Sequence, residues 1–549
     1  MGGRESDRDF GLSCVRDVGE GRFPDPMNVA TLFVDRNIDE GRGEAVAILC
    51  QDKQFTYRQV QEMVNRTGNL LLGLGLQPEQ RVLMLVLDGP EFAATFFGAI
   101  KAGLVPVPVN TSLRAADYRF MLNDSRAPVA LVSGALLPEL EPALAEARYL
   151  RHLVVVDGET APGRGDIRRH DYKTLLAAAP GTLAAERRSP DDVAFWLYTS
   201  GTTGMPKAAV HLQHDMLVCC EAYARQVLAI TAADRTYSVA KLFFAYGLGN
   251  ALYFPFWVGG STVLDPGRPE PRRVLDNVTR HRPTLFFSVP TNYAAILSSQ
   301  DERQTFQSVR ACVSAGEGLP PVLYQRWQER YGVEILDGIG STEVLHIFIS
   351  NRPGQVRPGS SGTLVPGYEA RVVDDIDRRV PNGEIGNLLV KGDSTCAYYW
   401  NQHEKTKRTI EGDWIRTGDK YVRDSDGFFW YAGRTDDMLK VSGQWVSPVE
   451  VEAALMAHQA VLECAVIGLA DDEGLIKPKA FVVLRQSGLG TDALAVELQE
   501  FVKARIAPHK YPRWVEFVAQ VPKTATGKIQ RYKLREQAAA PSRPPVEVS

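Results

Sequence analysis

The sequence predicts an α/β protein: a large, multi-layer N-terminal region with parallel-rich sheets and a small second module behind it. The first half repeats strand, helix and strand, the pattern that lays parallel strands beneath helices. At 549 residues the chain is too long for one hydrophobic core. After Asp436 the composition shifts to a shorter succession of elements with its own turns.

The elements follow in order. Residues 1–25 read as a flexible arm. Thr56 and Gln59 form a capping-box pattern before a helix whose apolar face is Val60, Met63, Val64, Leu70, Leu71 and Leu74, ended by Gly75. Arg81–Leu87 reads as a buried strand, Pro90 to about Ala102 as a helix and Val105–Val109 as an extended segment, and 117–123, 129–132 and 153–156 continue the alternation. A polar linker occupies 180–190. Ala240–Gly249 sets Phe243, Phe244 and Tyr246 beside two glycines, and reads either as a core strand with a tight turn or as the wall of an apolar pocket. Pro283–Pro290 is a buried strand with a helix from Thr291, and Val313–Gly318 runs from a strand into a Gly-rich turn. In the small module Ser447-Pro-Val-Glu450 is a capping box opening a helix to about His458, followed by strands at 462–469 and 479–484 and a helix around 494–506.

Composition excludes several classes. A net charge of −4 and a pI near 6.2 argue against nucleic acid or an anionic membrane as partner. The seven cysteines include no CxxC pair and read as thiols of a reducing compartment. No apolar run is long enough to span a membrane, and the charged first 25 residues lack a signal-peptide core, so the expected location is the cytoplasm.

Chemistry concentrates in Tyr198–Lys207, where Thr199, Ser200, Thr202 and Thr203 supply hydroxyls. Gly201 and Gly204 let backbone N–H groups turn inward, and Lys207 adds a charge, so the loop suits phosphate oxygens. The strand Val193–Leu197 is expected to hold it at its carboxyl end, as open α/β sheets hold ligands. It is no Walker loop, because Pro206 precedes Lys207, Ala208–Val210 continues as a strand, and a helix starts only near Asp215, read as its N-cap. The second stretch, Asp337-Gly-Ile-Gly-Ser-Thr-Glu343, joins two close-approach glycines to a hydroxyl and a carboxylate that suits one Mg²⁺. Taken alone it reads first as a surface turn. Asp419 in Trp414–Asp419 is placed to accept ribose hydroxyls, with Arg434 as a donor to the same sugar; their alternatives are a cap and a surface ion pair. The last stretch, Pro522–Ile529, presents Lys528 on a short Gly turn.

In this order and spacing the stretches resemble the adenylate-forming superfamily over residues 28–535, with Ala208 where the family commonly has Gly. The resemblance implies an N-terminal AMP- and acyl-binding domain at 26–434, a hinge at Asp436, a mobile C-terminal lid at 435–540 and a disordered tail at 541–549. It implies ATP or AMP contacts at Thr199, Ser200, Gly201, Thr202, Thr203, Gly204, Lys207, Gly316, Glu317, Asp337, Gly338, Ile339, Gly340, Ser341, Asp419 and Arg434. Thr342, Glu343 and Lys528 are the implied catalytic residues, with Glu343 the ligand of Mg²⁺. Ile339 stands where an aromatic often stacks on adenine.

Ala240–Asn250, Gly338–Ser350 and Asp436–Ser442 resemble the benzoate–CoA ligase branch. That implies an acyl slot of Ala245, Tyr246, Gly247, Ala315, Gly340, His346 and Ile347, and a coenzyme A tunnel gated by Phe244 and lined by Lys440, Ser442 and Gly443. His346 reads equally as a satisfied core histidine. The implied reaction is ATP-dependent activation of benzoate or a substituted benzoate through an acyl-AMP, then transfer to coenzyme A with release of AMP and pyrophosphate. A 4-hydroxybenzoate or 2-aminobenzoate ligase, and an enzyme loading an aryl acid onto a carrier protein, stay open beside it. The oligomeric state stands between monomer and homodimer, and acylation of the exposed Lys528 is a further expectation.

Overall fold

The computed structural model describes residues 23–158, 166–199, 205–299, 305–435, 437–441, 444–471, 475–486, 488–523 and 529–539. Ser200–Gly204, Asp436, Ser442, Gly443, Lys528, most of the N-terminal arm and the tail lie outside the described residues.

The expected α/β architecture is present. A five-stranded sheet, every pairing parallel, runs in the order Val105–Pro108, Arg81–Leu85, Val129–Ser133, His152–Val156 and Arg168–Asp171. A nine-stranded sheet carries the second half, from Thr363–Leu364 at one edge through Ile347–Ser350, Ile335–Gly340, Ala311–Ser314 and Leu285–Ser288 to Lys53–Thr56 at the other. Its central strands pair in parallel, so their carboxyl ends share one edge. The helices Tyr57–Gly73 and Pro90–Lys101 pack closely, because Gly68 and Gly98 face each other where a Cβ would meet backbone at under 3 Å. The Thr56 capping box forms as expected, with Gln59 N donating to Thr56 Oγ1 and Thr56 N to Gln59 Oε1.

Antiparallel sheets carry the remaining part of the larger region. Val193–Thr199 pairs with Lys207–Leu212, which pairs in turn with the two-residue strand Tyr398–Tyr399. A further sheet joins Glu369–Val373, Ile385–Lys391, Trp414–Arg423 and Phe429–Arg434. One apolar core runs from Met27 to Phe429, while Leu439 to Val502 form a separate core beneath the sheet of Val461–Ala470, Ile476–Leu484 and Trp514–Phe517.

Four expectations need correction. The loop before Lys207 hangs from an antiparallel hairpin in which Thr199 faces Lys207, not from a parallel α/β strand end. Asp215 is the first residue of its helix, and its carboxylate takes His211 and the N–H of Leu212 instead of capping downstream N–H groups. Ala240–Gly249 forms no strand; it turns and enters the helix Ala245–Leu248, because Phe244 N and Leu248 N bond back to Lys241 and Phe244 carbonyls. At Ser447 only half of the capping box is recorded, Ser447 Oγ accepting from Glu450 N at 3.2 Å, and the Glu450 carboxylate accepts from Lys510 at 2.7 Å. No helix among the described residues is long and apolar enough to cross a membrane, and Cys50, Cys219, Cys220, Cys312, Cys396 and Cys464 are free thiols.

Candidate active site

Lys207 leaves its strand beside Glu343. The ammonium lies 3.4 Å from Glu343 Oε1 and donates to Tyr399 Oη at 3.0 Å, and Tyr399 Oη donates to the same carboxylate oxygen at 2.5 Å. Lys207 also sits over the Tyr399 ring, 4.2 Å from its centre. Burial alone would push the Glu343 carboxyl up, but the Lys207 charge with the Tyr399 hydroxyl holds it below the usual carboxylate range. Burial in turn draws the Lys207 amine down.

The turn that carries Glu343 is pinned from three sides. His211, buried and bonded to Asp215 at 2.7 Å, reaches the Thr342 carbonyl at 2.8 Å with its other nitrogen. Ser394 Oγ donates to the Val344 carbonyl at 2.8 Å, and Cys396 N to the Glu343 carbonyl at 2.7 Å. Val344 N bonds Ser341 Oγ at 3.2 Å, and Leu345 holds a left-handed φ of 69°. Such a conformation is rare for a branched side chain and persists only where its surroundings over-determine it.

Asp337 lies within the strand Ile335–Gly340, opposite Ser314 at the last parallel pair before the strand goes on to pair antiparallel with Ile347–Ser350. It is buried, receives Leu319 N at 3.5 Å, and burial pushes its carboxyl up to about 8. The neighbouring turn carries Gly316, at φ 95°, and Glu317, which accepts from Thr291 Oγ1 at 3.3 Å. Gly318 leaves room for Tyr431, whose Cδ1 would stand 3.4 Å from an added Cβ. Tyr431 lies on the strand that ends at Arg434, and Arg434 donates to Asp419 Oδ1 at 2.9 Å and to the Thr417 carbonyl at 3.2 Å. Gly418 has φ 75°, and an added Cβ would meet the Arg434 guanidinium at 2.9 Å. The Arg434 charge helps draw the Lys207 amine down, and the Glu343 carboxylate helps hold the Arg434 pKa up. The structure therefore brings Lys207, Glu343, Asp419 and Arg434 together, with the turn at Gly316 and the strand of Asp337 alongside.

The expected acyl residues also form one wall. Tyr246 and His346 rings are 5.7 Å apart, and Phe254 and Tyr223 approach His346 to 4.5 and 5.3 Å. Tyr246 spends its hydroxyl on the carbonyls of Val313 and Ser288, at 3.1 and 3.3 Å, so it presents a ring rather than a polar group. His346 is buried with Nε2 3.1 Å from Asn250 Oδ1, and burial lowers its pKa to about 3, so it is neutral. Glycines keep the wall thin: a Cβ on Gly249 would lie 2.4 Å from the His346 ring, one on Gly340 2.6 Å from the His346 carbonyl, and one on Gly247 2.1 Å from the Lys241 carbonyl. Ala245 and Ala315 are buried, Ile347 pairs with Gly340, and Phe244 precedes the helix with its ring 4.3 Å from Phe243. Ile339 is half-buried and pairs with Ile349; Gly338 pairs with Ser350. Lys440 lies in the short strand Leu439–Val441, opposite residue 445.

Sequence reasoning missed Tyr399 and His211. For Tyr399 a signal existed, the aromatic run Tyr398-Tyr399-Trp400 in a stretch of polar residues.

The AMP-binding enzyme family matches residues 34–400 and its C-terminal domain residues 450–528, so the chain belongs to that family. Within it the chain lies in the benzoate–CoA ligase branch. It is 49% identical to a benzoate–CoA ligase of Thauera aromatica, over 94% of this chain and 97% of that one. It is 45% identical to a 4-hydroxybenzoate–CoA/benzoate–CoA ligase of Rhodopseudomonas palustris, over 94% and 97%. A crystal structure of an anthranilate CoA ligase in complex with anthranoyl-AMP superposes with a TM-score of 0.89 at 44% identity, covering 94% of this chain and 98% of that one.

Proposed function

We propose that the protein activates benzoate or a small substituted benzoate with ATP and transfers the acyl group to coenzyme A, releasing AMP and pyrophosphate. The observation that carries this is the convergence of the Lys207–Glu343 pair with Asp419 and Arg434, beside an aromatic wall thinned by glycine. A carboxylate is a poor electrophile until it is joined to a good leaving group, and the joining step brings two anions together. In this reading Lys207 and the loop 199–204 take phosphate oxygens, Asp419 the ribose hydroxyls, and Lys528 the charge that develops between carboxylate and α-phosphate. The Thr342 hydroxyl and the turn 337–341 border the same phosphates and base.

Glu343 suits Mg²⁺ as a single hard oxygen ligand. An ion held there by Glu343 alone would draw its other ligands from phosphate and water. When bound, the ion neutralises phosphate charge. The division at residue 436, between the two cores, serves as the hinge by which the small domain presents first Lys528 and then Lys440, Ser442 and Gly443 beside the Phe244 gate.

The closed-off Tyr246 hydroxyl favours unsubstituted benzoate. The likeness to an anthranilate ligase keeps 2-aminobenzoate as the second reading. The test is AMP release with free coenzyme A over benzoate, 4-hydroxybenzoate, 2-aminobenzoate and cyclohexanecarboxylate, for wild type and Lys528→Ala. Turnover of benzoates that the variant loses at adenylation supports the proposal. Acid-dependent pyrophosphate exchange with no AMP released to coenzyme A overturns it in favour of carrier loading.

A further inference from the structure

Tyr399 is 2% exposed, yet its hydroxyl is aimed at two charged groups. As an O–H donor it bonds Glu343 Oε1 at 2.5 Å, and as an acceptor it takes Lys207 at 3.0 Å. Both links are shorter than the 3.4 Å that separates Lys207 from Glu343 directly. The ring is itself fixed. Its strand pairs with the strand of Lys207, placing Tyr399 opposite Ala209; Tyr399 N donates to Thr406 Oγ1 at 3.0 Å, and Cys396 and Ala209 pack against it. The same segment grips the Glu343 main chain through Cys396 N. A tyrosine kept only for packing needs no such bridge; here the bridge spans the two groups that meet phosphate and metal.

We propose that Tyr399 is a positioning residue of the nucleotide site, its hydroxyl holding Lys207 and Glu343 in a fixed mutual geometry so that metal-bound ATP meets both already in place. This rests on the roles given to Lys207 and Glu343 above. Without the hydroxyl the ammonium and the carboxylate close on each other, and ATP with its metal must first separate them.

The test is calorimetric ATP binding to the full chain across a Mg²⁺ titration, for wild type, Tyr399→Phe, Glu343→Gln and the double variant. Tyr399→Phe keeps the buried ring. It is expected to weaken ATP binding, and to raise the Mg²⁺ needed for half-saturation, each by about tenfold, the scale of a lost hydrogen bond to charged partners. In the Glu343→Gln background it should add less than about twofold, because coupled sites are non-additive, while the KM for coenzyme A stays within about twofold. Replacement of Tyr399 by para-aminophenylalanine, which restores a donor towards Glu343, should return the Mg²⁺ requirement towards wild type; it also serves if the Phe variant does not fold. An unchanged Mg²⁺ requirement in Tyr399→Phe, full additivity with Glu343→Gln, or no rescue overturns the inference. If wild type itself binds no ATP, the reading of the whole site falls; if it binds and Tyr399→Phe binds equally, only this inference does.

Discussion

Gly249→Ala tests the acyl wall through a single methyl group. Gly249 has ordinary helical angles, φ −65° and ψ −56°, so alanine is allowed by the backbone and gains about 1 kcal/mol of helix propensity. The new Cβ, however, would stand 2.4 Å from His346 Cδ2, 2.8 Å from Nε2 and 2.8 Å from the Tyr253 hydroxyl, where ordinary contact begins near 3.4 Å. The imidazole must move by about 1 Å. Phe254 and Tyr223 close off its other sides, and Asn250 holds Nε2, so the displacement goes towards Tyr246 and the slot. Overpacking of this kind costs about 1–3 kcal/mol. Set against the helix gain, it leaves a net loss of about 0–2 kcal/mol and a fall of a few degrees in Tm at most. The slot bears the larger effect: the KM for benzoate should rise about 10–100-fold, the scale of one misplaced methylene in a tight pocket. The KM for ATP should stay within about twofold. The assay is AMP release with benzoate and ATP varied in turn, beside thermal unfolding. A benzoate KM unchanged in a stable variant, or ATP and benzoate KM values rising together, would refute the reasoning.

Two further predictions concern the nucleotide side. Asp337→Asn mimics the neutral acid that burial enforces at this position. The folded pKa of about 8 lies above the unfolded value, so the folded state holds an extra proton between about pH 4 and 8, and wild type loses stability as pH rises through that window. The Asn variant, lacking this term, should gain on wild type by at least about 1 kcal/mol between pH 5 and 8 in denaturant unfolding; parallel pH profiles would show that Asp337 is ionised in the fold. Arg434→Met removes the donor that holds Asp419 at 2.9 Å and should raise the KM for ATP roughly tenfold while leaving the KM for benzoate unchanged. Equal losses for both substrates would point to a general loosening of strand pairing.

What the sequence made legible was local. The Thr56–Gln59 box closes within one turn, and the apolar runs at 81–87 and 129–132 carry their strand character in themselves. What it hid was pairing across the chain. Val193–Thr199 and Lys207–Leu212 are joined by a short connection and so pair antiparallel, and their sheet is completed by Tyr398–Tyr399, far along the chain, which no local pattern shows. Asp215 has a capping residue's chemistry, but His211, four residues earlier in the strand Lys207–Leu212, claims its carboxylate. Tyr399 and His211 escaped notice because their partners lie 56 and 131 residues away, and neither side chain belongs to a motif that announces itself. The acidic and basic residues of the site were found, since a charge placed among glycines and hydroxyls is conspicuous. The neutral groups that aim them were not.

The tight hairpin between Ile335–Gly340 and Ile347–Ser350 has a consequence for how such a protein can diverge. Thr342 and Glu343, which face the nucleotide in the proposed reading, and His346 and Ile347, which face the ring, share one turn with a left-handed residue, Leu345, at its centre. A mutation that reshapes the ring side of this turn also tugs on the phosphate side, so variants there pass through a loss of adenylation before any new acid is accepted. Ala245 and Tyr246, on the helix Ala245–Leu248, and Ala315, just past the strand Ala311–Ser314, sit on other elements and are free of that coupling. New ring preferences therefore have their open route through those residues.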